Sequence, residues 1–154
     1  MSVDIQEGGL DHPKVQDLLR LHLQAMRSNS PEGLAFALDL SGLRQASITF
    51  VAAWEDGDVL GCGAIKDLDG QAGEIKSMRT DPGHLRKGIA ARILDHLLMI
   101  ARVRGYARVS LETGTGPEFE PALALYRRYG FQKGQAFADY VASDFNQFFY
   151  LDLV

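Results

Sequence analysis

Glu74-Ile75-Lys76-Ser77-Met78-Arg79-Thr80-Asp81-Pro82-Gly83-His84-Leu85-Arg86-Lys87-Gly88-Ile89-Ala90 is the stretch on which the fold turns. A strand ending at Thr80 is expected, because Pro82 has no N–H to give to a ladder. The chain then turns through small and basic residues into a helix. At that helix start the N–H groups of Arg86 to Ala90 have no carbonyl partner within the helix, and they point outward at the positive end of its dipole. Amides so placed bind anions. Gly88 has no side chain to hold a ligand off, Ala90 is small, and Arg86 and Lys87 add positive charge. A strand, turn and helix can carry one glycine and two basic residues without binding anything, so the reading rests on the flanks.

Downstream, Ile89, Ile93, Leu97 and Ile100 share one helical face, joined at its flanks by Leu94, Ala101 and Val103, while Asp95, His96 and Arg102 face water. Gly105 follows as a left-handed C-cap residue would. Tyr106 to Glu112 alternates at period two, and strand, helix, strand implies a parallel pair. Thr113 to Pro117 reads as a loop and Glu118 to Tyr129 as a helix with Ala122, Leu125, Tyr126 and Tyr129 on one side, closed by Gly130-Phe131. Ala136 to Asp144 mixes strand and loop character, and Gln147 to Val154 reads as a strand with large residues on both faces.

Upstream, Ile48 to Trp54 is β-branched and aromatic and meets Asp56-Gly57, a hairpin signal, before Val59 to Lys66 returns. Asp69-Gly70 supplies a second turn and Gly73 to Thr80 a third strand, so an antiparallel meander leads into the turn. Gly61 and Gly63 flank Cys62 and imply close backbone approach there; Cys62 itself reads as a small buried hydrophobe. Val3 to Gln6 is a short first strand. Pro13 opens a helix with Asp11 or His12 as cap, and Val15, Leu18, Leu19, His22 and Met26 form its apolar face, with His22 a wall or core residue. A second, shorter helix is expected over Glu32 to Leu40 with Ser30 as cap.

Composition bounds the function. The 154 residues, 46% hydrophobic and 23% charged, suit a single domain spanning 1–154, and no apolar run approaches the roughly 18 residues of a membrane span. A net charge of −4 argues against a nucleic-acid partner. Cys62 is the lone cysteine, so no internal disulfide forms, and the N-terminal residues lack a secretory leader; both suit a cytoplasmic protein. His12, His22, His84 and His96 are scattered without ligand spacing, so no metal is expected.

The order of elements and three motifs between about Ser47 and Tyr150 resemble the GNAT acetyltransferases, which move an acetyl group from acetyl-CoA to an amine. Leu85-Arg86-Lys87-Gly88-Ile89-Ala90 matches the family's Arg/Gln-x-x-Gly-x-Gly/Ala turn at Gly88 and Ala90 and departs from it at Leu85. Leu125-Tyr126-Arg127-Arg128-Tyr129-Gly130-Phe131 is similar to the family's Leu-Tyr-x-x-x-Gly-Phe, and Glu74 stands where some members place a glutamate. The resemblance implies an α/β (α+β) single-domain, strongly twisted mixed sheet flanked by helices. In it the Glu74 to Thr80 and Tyr106 to Glu112 strands splay apart to admit pantetheine. It implies Glu74 as catalytic base and Tyr126 as acid. Coenzyme would be bound by Met78, Arg79 and Thr80 along the strand, by Arg86, Lys87, Gly88, Ile89, Ala90 and Ala91 at the turn, and by Thr113 in place of the family's asparagine. The expected partner is a small-molecule amine, recognised by the first two helices, Thr113 to Pro117 and Ala136 to Asn146; a homodimer is left open. The rival readings are a non-catalytic acyl-CoA-binding module, against which Tyr126 argues, and a nucleotide-phosphate binder, for which no Gly-x-x-x-x-Gly-Lys run exists.

Overall fold

The computed structural model describes residues 2–153. Its strands form one sheet in the order β1-β2-β3-β4-β5-β7-β6: β1 (Asp4–Glu7), β2 (Ile48–Glu55), β3 (Asp58–Asp67), β4 (Ala72–Thr80), β5 (Arg108–Gly114), β6 (Gln132–Gly134) and β7 (Asn146–Asp152). The pairings are antiparallel except β4 with β5, as the strand-helix-strand pattern demands. The expected meander is therefore β2-β3-β4. The helical crossover between β4 and β5 is α3 (Ile89–Val103). β6, which the sequence pattern does not announce, adds to the far edge against β7. Val154, expected to end the last strand, lies outside the described residues.

Alternation along each strand sorts the side chains into two cores. Val51, Ala53, Leu60, Ile65, Ile75, Val109 and Leu111 pack beneath α3 and α4 (Glu120–Arg128). Phe50, Ala52, Val59, Cys62 and Ala64 pack on the other face against α1 (Pro13–Ser28) and α2 (Leu40–Leu43). Pro13 opens α1 with His12 as its cap, the His12 side chain accepting from the Lys14 amide at 3.1 Å. The glycines beside Cys62 permit the close helix approach expected of them. A Cβ on Gly63 would lie 2.7 Å from Met78 Sδ and 2.8 Å from Ile93 Cγ2, and one on Gly61 2.9 Å from the Arg79 carbonyl. Cys62 is fully buried, and burial pushes its thiol up to about 12, which makes it an inert core residue.

Three local expectations are corrected. The helix read over Glu32 to Leu40 is absent. Residues 31–39 are irregular, and only the four residues of α2 are helical, capped by Asp39, whose carboxylate accepts from the Gly42 amide at 2.9 Å. Gly33 sits at φ 80°, a left-handed conformation that a helix cannot continue through, and Phe36 is drawn instead into an aromatic contact with Tyr140, 5.4 Å between centroids. The helix read from Glu118 begins as a 3₁₀ turn over Pro117–Phe119 and becomes α4 only at Glu120. Val103, read as flanking the buried face of α3, is exposed. Gly105, at φ 78°, does close that helix as expected. No helix among the described residues is long and apolar enough to cross a membrane.

Candidate active site

The parallel ladder is short. β4 and β5 pair only from Ala72 with Arg108 to Ile75 with Leu111. Beyond that register Lys76–Thr80 and Glu112–Gly114 face each other without pairing, and a cleft opens between them. The cause on β4 is a bulge. Lys76 pairs with Ala64 and Arg79 with Cys62, so Ser77 and Met78 together oppose the single residue Gly63. Ser77 takes φ 57° there, and its hydroxyl is buried without a partner. Paired with β3 on one edge and unpaired on the edge facing β5, the segment leaves backbone N–H and C=O groups open to an extended ligand. Met78 and Arg79 line the cleft from β4, with Thr80 following them on the strand, and Thr113, 8% exposed, lines it from β5.

The turn after β4 is exposed from Leu85 to Gly88. Asp81 caps a 3₁₀ turn over Pro82–His84 by accepting from the Gly83 amide at 3.0 Å. Arg86 (φ 63°) and Gly88 (φ 76°) are both left-handed. The first backbone bond from α3 into this turn runs from Arg92 N–H to the Gly88 carbonyl at 3.2 Å, which leaves the preceding amides free of intrahelical acceptors. A Cβ built on Gly88 meets nothing within 4 Å, so the space above these amides is open. The Ile89 side chain is buried in the core at 2% exposure, and Ala90 and Ala91 are half-buried. Lys87 Nζ lies 3.1 Å from His84 Nδ1.

Chemistry-bearing side chains gather where the ladder ends. Glu74 is 3% exposed and projects from the face opposite Ile75. Its Oε2 accepts from Lys76 Nζ at 3.0 Å and from the Tyr140 hydroxyl at 2.5 Å, and Lys76 Nζ also donates to the Tyr140 oxygen at 2.8 Å, closing a triangle. Burial and the Glu74 carboxylate push the Tyr140 phenol up. Across the cleft, the half-buried Glu112 carboxyl is pushed up to about 7, chiefly by burial and also by Glu74, against the opposing pulls of Lys76 and Asn146. Tyr126 lines the cleft from α4 at 5% exposure. Burial pushes its phenol up, and its ring packs 5.6 Å from that of Phe131.

His22, Met26, Asn29, Phe36 and Ala37 complete the walls from α1 and the segment after it. His22 is buried as expected. Burial, with Arg79 beside it, lowers its pKa to about 4, so the imidazole is neutral, and its Nδ1 accepts from Arg79 Nε at 3.0 Å. Glu74 and Tyr126 therefore line the same cleft; Glu112 lines it too, and Tyr140 joins it through its bond to Glu74, neither having been singled out from the sequence. The alternation of Tyr106 to Glu112 carries the signal for Glu112, since it puts a carboxylate at the C-terminal end of a strand beside the splay. Tyr140 has no local signal. It arrives on the loop between β6 and β7, which is laid over the sheet by an edge-to-face contact of Phe137 with Tyr140 (5.2 Å) and a tilted contact of Tyr140 with Phe148 (5.8 Å). No cluster of His, Cys, Asp and Glu able to hold a metal occurs among the described residues.

Residues 15–131 match the Acetyltransferase (GNAT) family. The chain is 50% identical over 127 residues, 82% of its length and 84% of the relative's, to an uncharacterized N-acetyltransferase of Bacillus subtilis, and 42% identical over 97% of its length and 94% of the relative's to an uncharacterized N-acetyltransferase of Escherichia coli. Among solved structures, a putative acyl-CoA N-acyltransferase of Klebsiella pneumoniae superposes with a TM-score of 0.79 at 27% identity, covering 99% of this chain and 98% of that one. A GNAT family acetyltransferase of Elizabethkingia anophelis with acetyl-CoA bound shares the fold at a TM-score of 0.72 and 18% identity, covering 98% of each chain.

Proposed function

From the premise that the chain belongs to the Acetyltransferase (GNAT) family and is an acetyl-CoA-dependent N-acetyltransferase, we propose how its residues divide the work. The single observation that carries the reading is the end of pairing after Ile75 and Leu111, beside an exposed left-handed turn. The residues present fit the coenzyme. The open strand segment from Met78 to Thr80 offers a ladder to an extended chain, and the amides from Arg86 to Ala91, with the Arg86 and Lys87 charges, offer a seat to a pyrophosphate. Bound there, acetyl-CoA supplies an activated thioester carbonyl. A backbone N–H at the bulge polarises that carbonyl as an oxyanion donor.

The amine enters from the α1 side of the sheet, where the carboxylates stand. A protonated amine must lose a proton before its nitrogen can attack. We assign that proton to the Glu74 and Glu112 pair. Glu74 was the candidate from sequence, but Lys76 and Tyr140 already occupy its Oε2, so it serves best as a hydrogen-bond acceptor that holds the ammonium in place through its other oxygen. Glu112, with a pKa of about 7, changes protonation at working pH and takes the proton. On the opposite side Tyr126 donates to the thiolate as the carbon–sulfur bond breaks, and the second proton, shed by the nitrogen as it becomes the amide, passes to solvent, from which the phenol is restored. Its phenol is a weaker acid than an ordinary one, so it stays protonated until the thiolate forms. Thr113 stands in for an asparagine contact to the pantetheine. The acceptor is a small amine, the reaction needs no metal, one domain carries it, and the lone cysteine suits the cytoplasm.

Thermal stabilisation by coenzyme A, ATP and NAD, followed by thiol release from acetyl-CoA across an amine panel, tests this. Stabilisation by coenzyme A alone and amine-dependent release are expected. Tight acetyl-CoA binding with no release for any amine would make the cleft a sensor.

A further inference from the structure

Every cation in the cleft but one has a carboxylate. Lys76 is neutralised by Glu74. Arg79, half-buried on the cleft wall, forms no ion pair among the described residues, and burial lowers its pKa without any carboxylate to oppose the shift. Its one side-chain hydrogen bond among the described residues goes to the neutral His22 imidazole through Nε. That bond fixes the plane of the guanidinium and leaves both terminal nitrogens without a partner among the described residues. A half-buried cation held rigid by an uncharged acceptor is costly unless an anion meets it, and a planar fork of N–H donors matches a carboxylate two bonds at a time. His22, Arg79, Phe36 and Met26 line the cleft that Glu74 and Glu112 also line. One cleft therefore offers two carboxylates for an ammonium, a cationic fork for an anion, and an aromatic and a thioether wall for an apolar body.

The geometry points to an acceptor that is an amine carrying a carboxylate, an amino acid in the broad sense, whose anionic end is clamped by Arg79 under the positioning of His22. This rests on the acetyl-transfer reading and adds the chemical class of the substrate. Arg79 is a specificity residue here, and His22 a positioning one. An isosteric amine without the carboxylate would leave the Arg79 fork unpaired, and specificity arises from that penalty.

Matched pairs make the test: phenylalanine against phenethylamine, leucine against isopentylamine, and glycine against methylamine, each assayed by thiol release from acetyl-CoA. The binding of the corresponding N-acetylated products to the protein with coenzyme A is measured by calorimetry. The carboxylate-bearing member of at least one pair is expected to lead by about tenfold or more in kcat/KM and in product affinity. In Arg79→Gln that ratio should fall towards one through a rise in KM for the acid, whatever happens to the absolute rate; Arg79→Lys should keep part of it, since it keeps the charge and loses the fork. His22→Gln should reduce the ratio less than Arg79→Gln. Carboxylate-free partners used equally well by the wild type, or a preference that survives Arg79→Gln, would overturn the clamp. Products bound selectively through Arg79 with no thiol release from any amine would uphold the clamp and overturn the catalytic reading. Release without selectivity would do the reverse.

Discussion

The Glu74 and Glu112 carboxylates lie on neighbouring strands, yet their surroundings differ, and the proposed roles differ with them. Lys76 and Tyr140 take up the Oε2 of Glu74, whereas burial holds Glu112 at about 7. The kcat/KM profile of the wild type is expected to rise through about pH 7, and Glu112→Gln should abolish that limb and lower the rate by about 10²-fold. Glu74→Gln should lower the rate while leaving the limb in place. A limb that survives Glu112→Gln would return the base role to Glu74. Tyr126→Phe removes one oxygen and keeps the ring packed on Phe131, so turnover should fall by about tenfold to a thousandfold with melting temperature and coenzyme affinity unchanged. Full activity in that variant would mean that water protonates the sulfur.

At the scale of elements, two glycines set what the strand-turn-helix unit can do. Gly88 has open space around it, so a larger residue is harmful first through its left-handed φ of 76° and then by crowding an incoming phosphate. Gly88→Val should cut coenzyme A affinity by at least tenfold, measured by calorimetry, while Gly88→Asn, which tolerates that φ, should keep the fold with an intermediate loss. Gly63→Ala puts a methyl against Met78 and Ile93 and is expected to lower stability by about 1–3 kcal/mol in denaturant titrations. Much of this unit was legible beforehand: the β2-β3-β4 meander, the stop at Thr80 and the close approach at Gly61 and Gly63 are written in turn residues and periodicity. The bulge at Ser77 was not, since neither serine nor methionine marks one. The position of Tyr140 and the loss of a helix before Leu40 escaped for a different reason: both depend on aromatic contacts among Phe36, Phe137 and Tyr140, far apart in the chain.

At the scale of the molecule, His22 and Glu112 link protonation to stability with opposite signs. His22 is neutral when folded, with its pKa lowered from 6.5 to about 4, so its contribution is present above 6.5 and lost as the pH falls through about 4, on the order of 3 kcal/mol. Glu112 is raised from 4.5 to about 7, so its contribution is present below 4.5 and lost as the pH rises through about 7. Between about 4.5 and 6.5 the two offset each other. Glu112→Gln should therefore make the protein more acid-sensitive than the wild type across that window, and His22→Gln less so; parallel unfolding curves for all three would contradict the opposed shifts. The bulge, finally, acts on parity. Ile75 and Met78 face the α3 core, three positions apart, while Glu74, Lys76 and Arg79 reach the opposite side, so even numbers point to the substrate before Ser77 and odd numbers after it. The cleft is thus written in two reading frames of one strand: straightening the bulge with Ser77 kept would turn the Arg79 guanidinium into the apolar core, whereas deleting Ser77 would leave Glu74 and Arg79 on the same side as now.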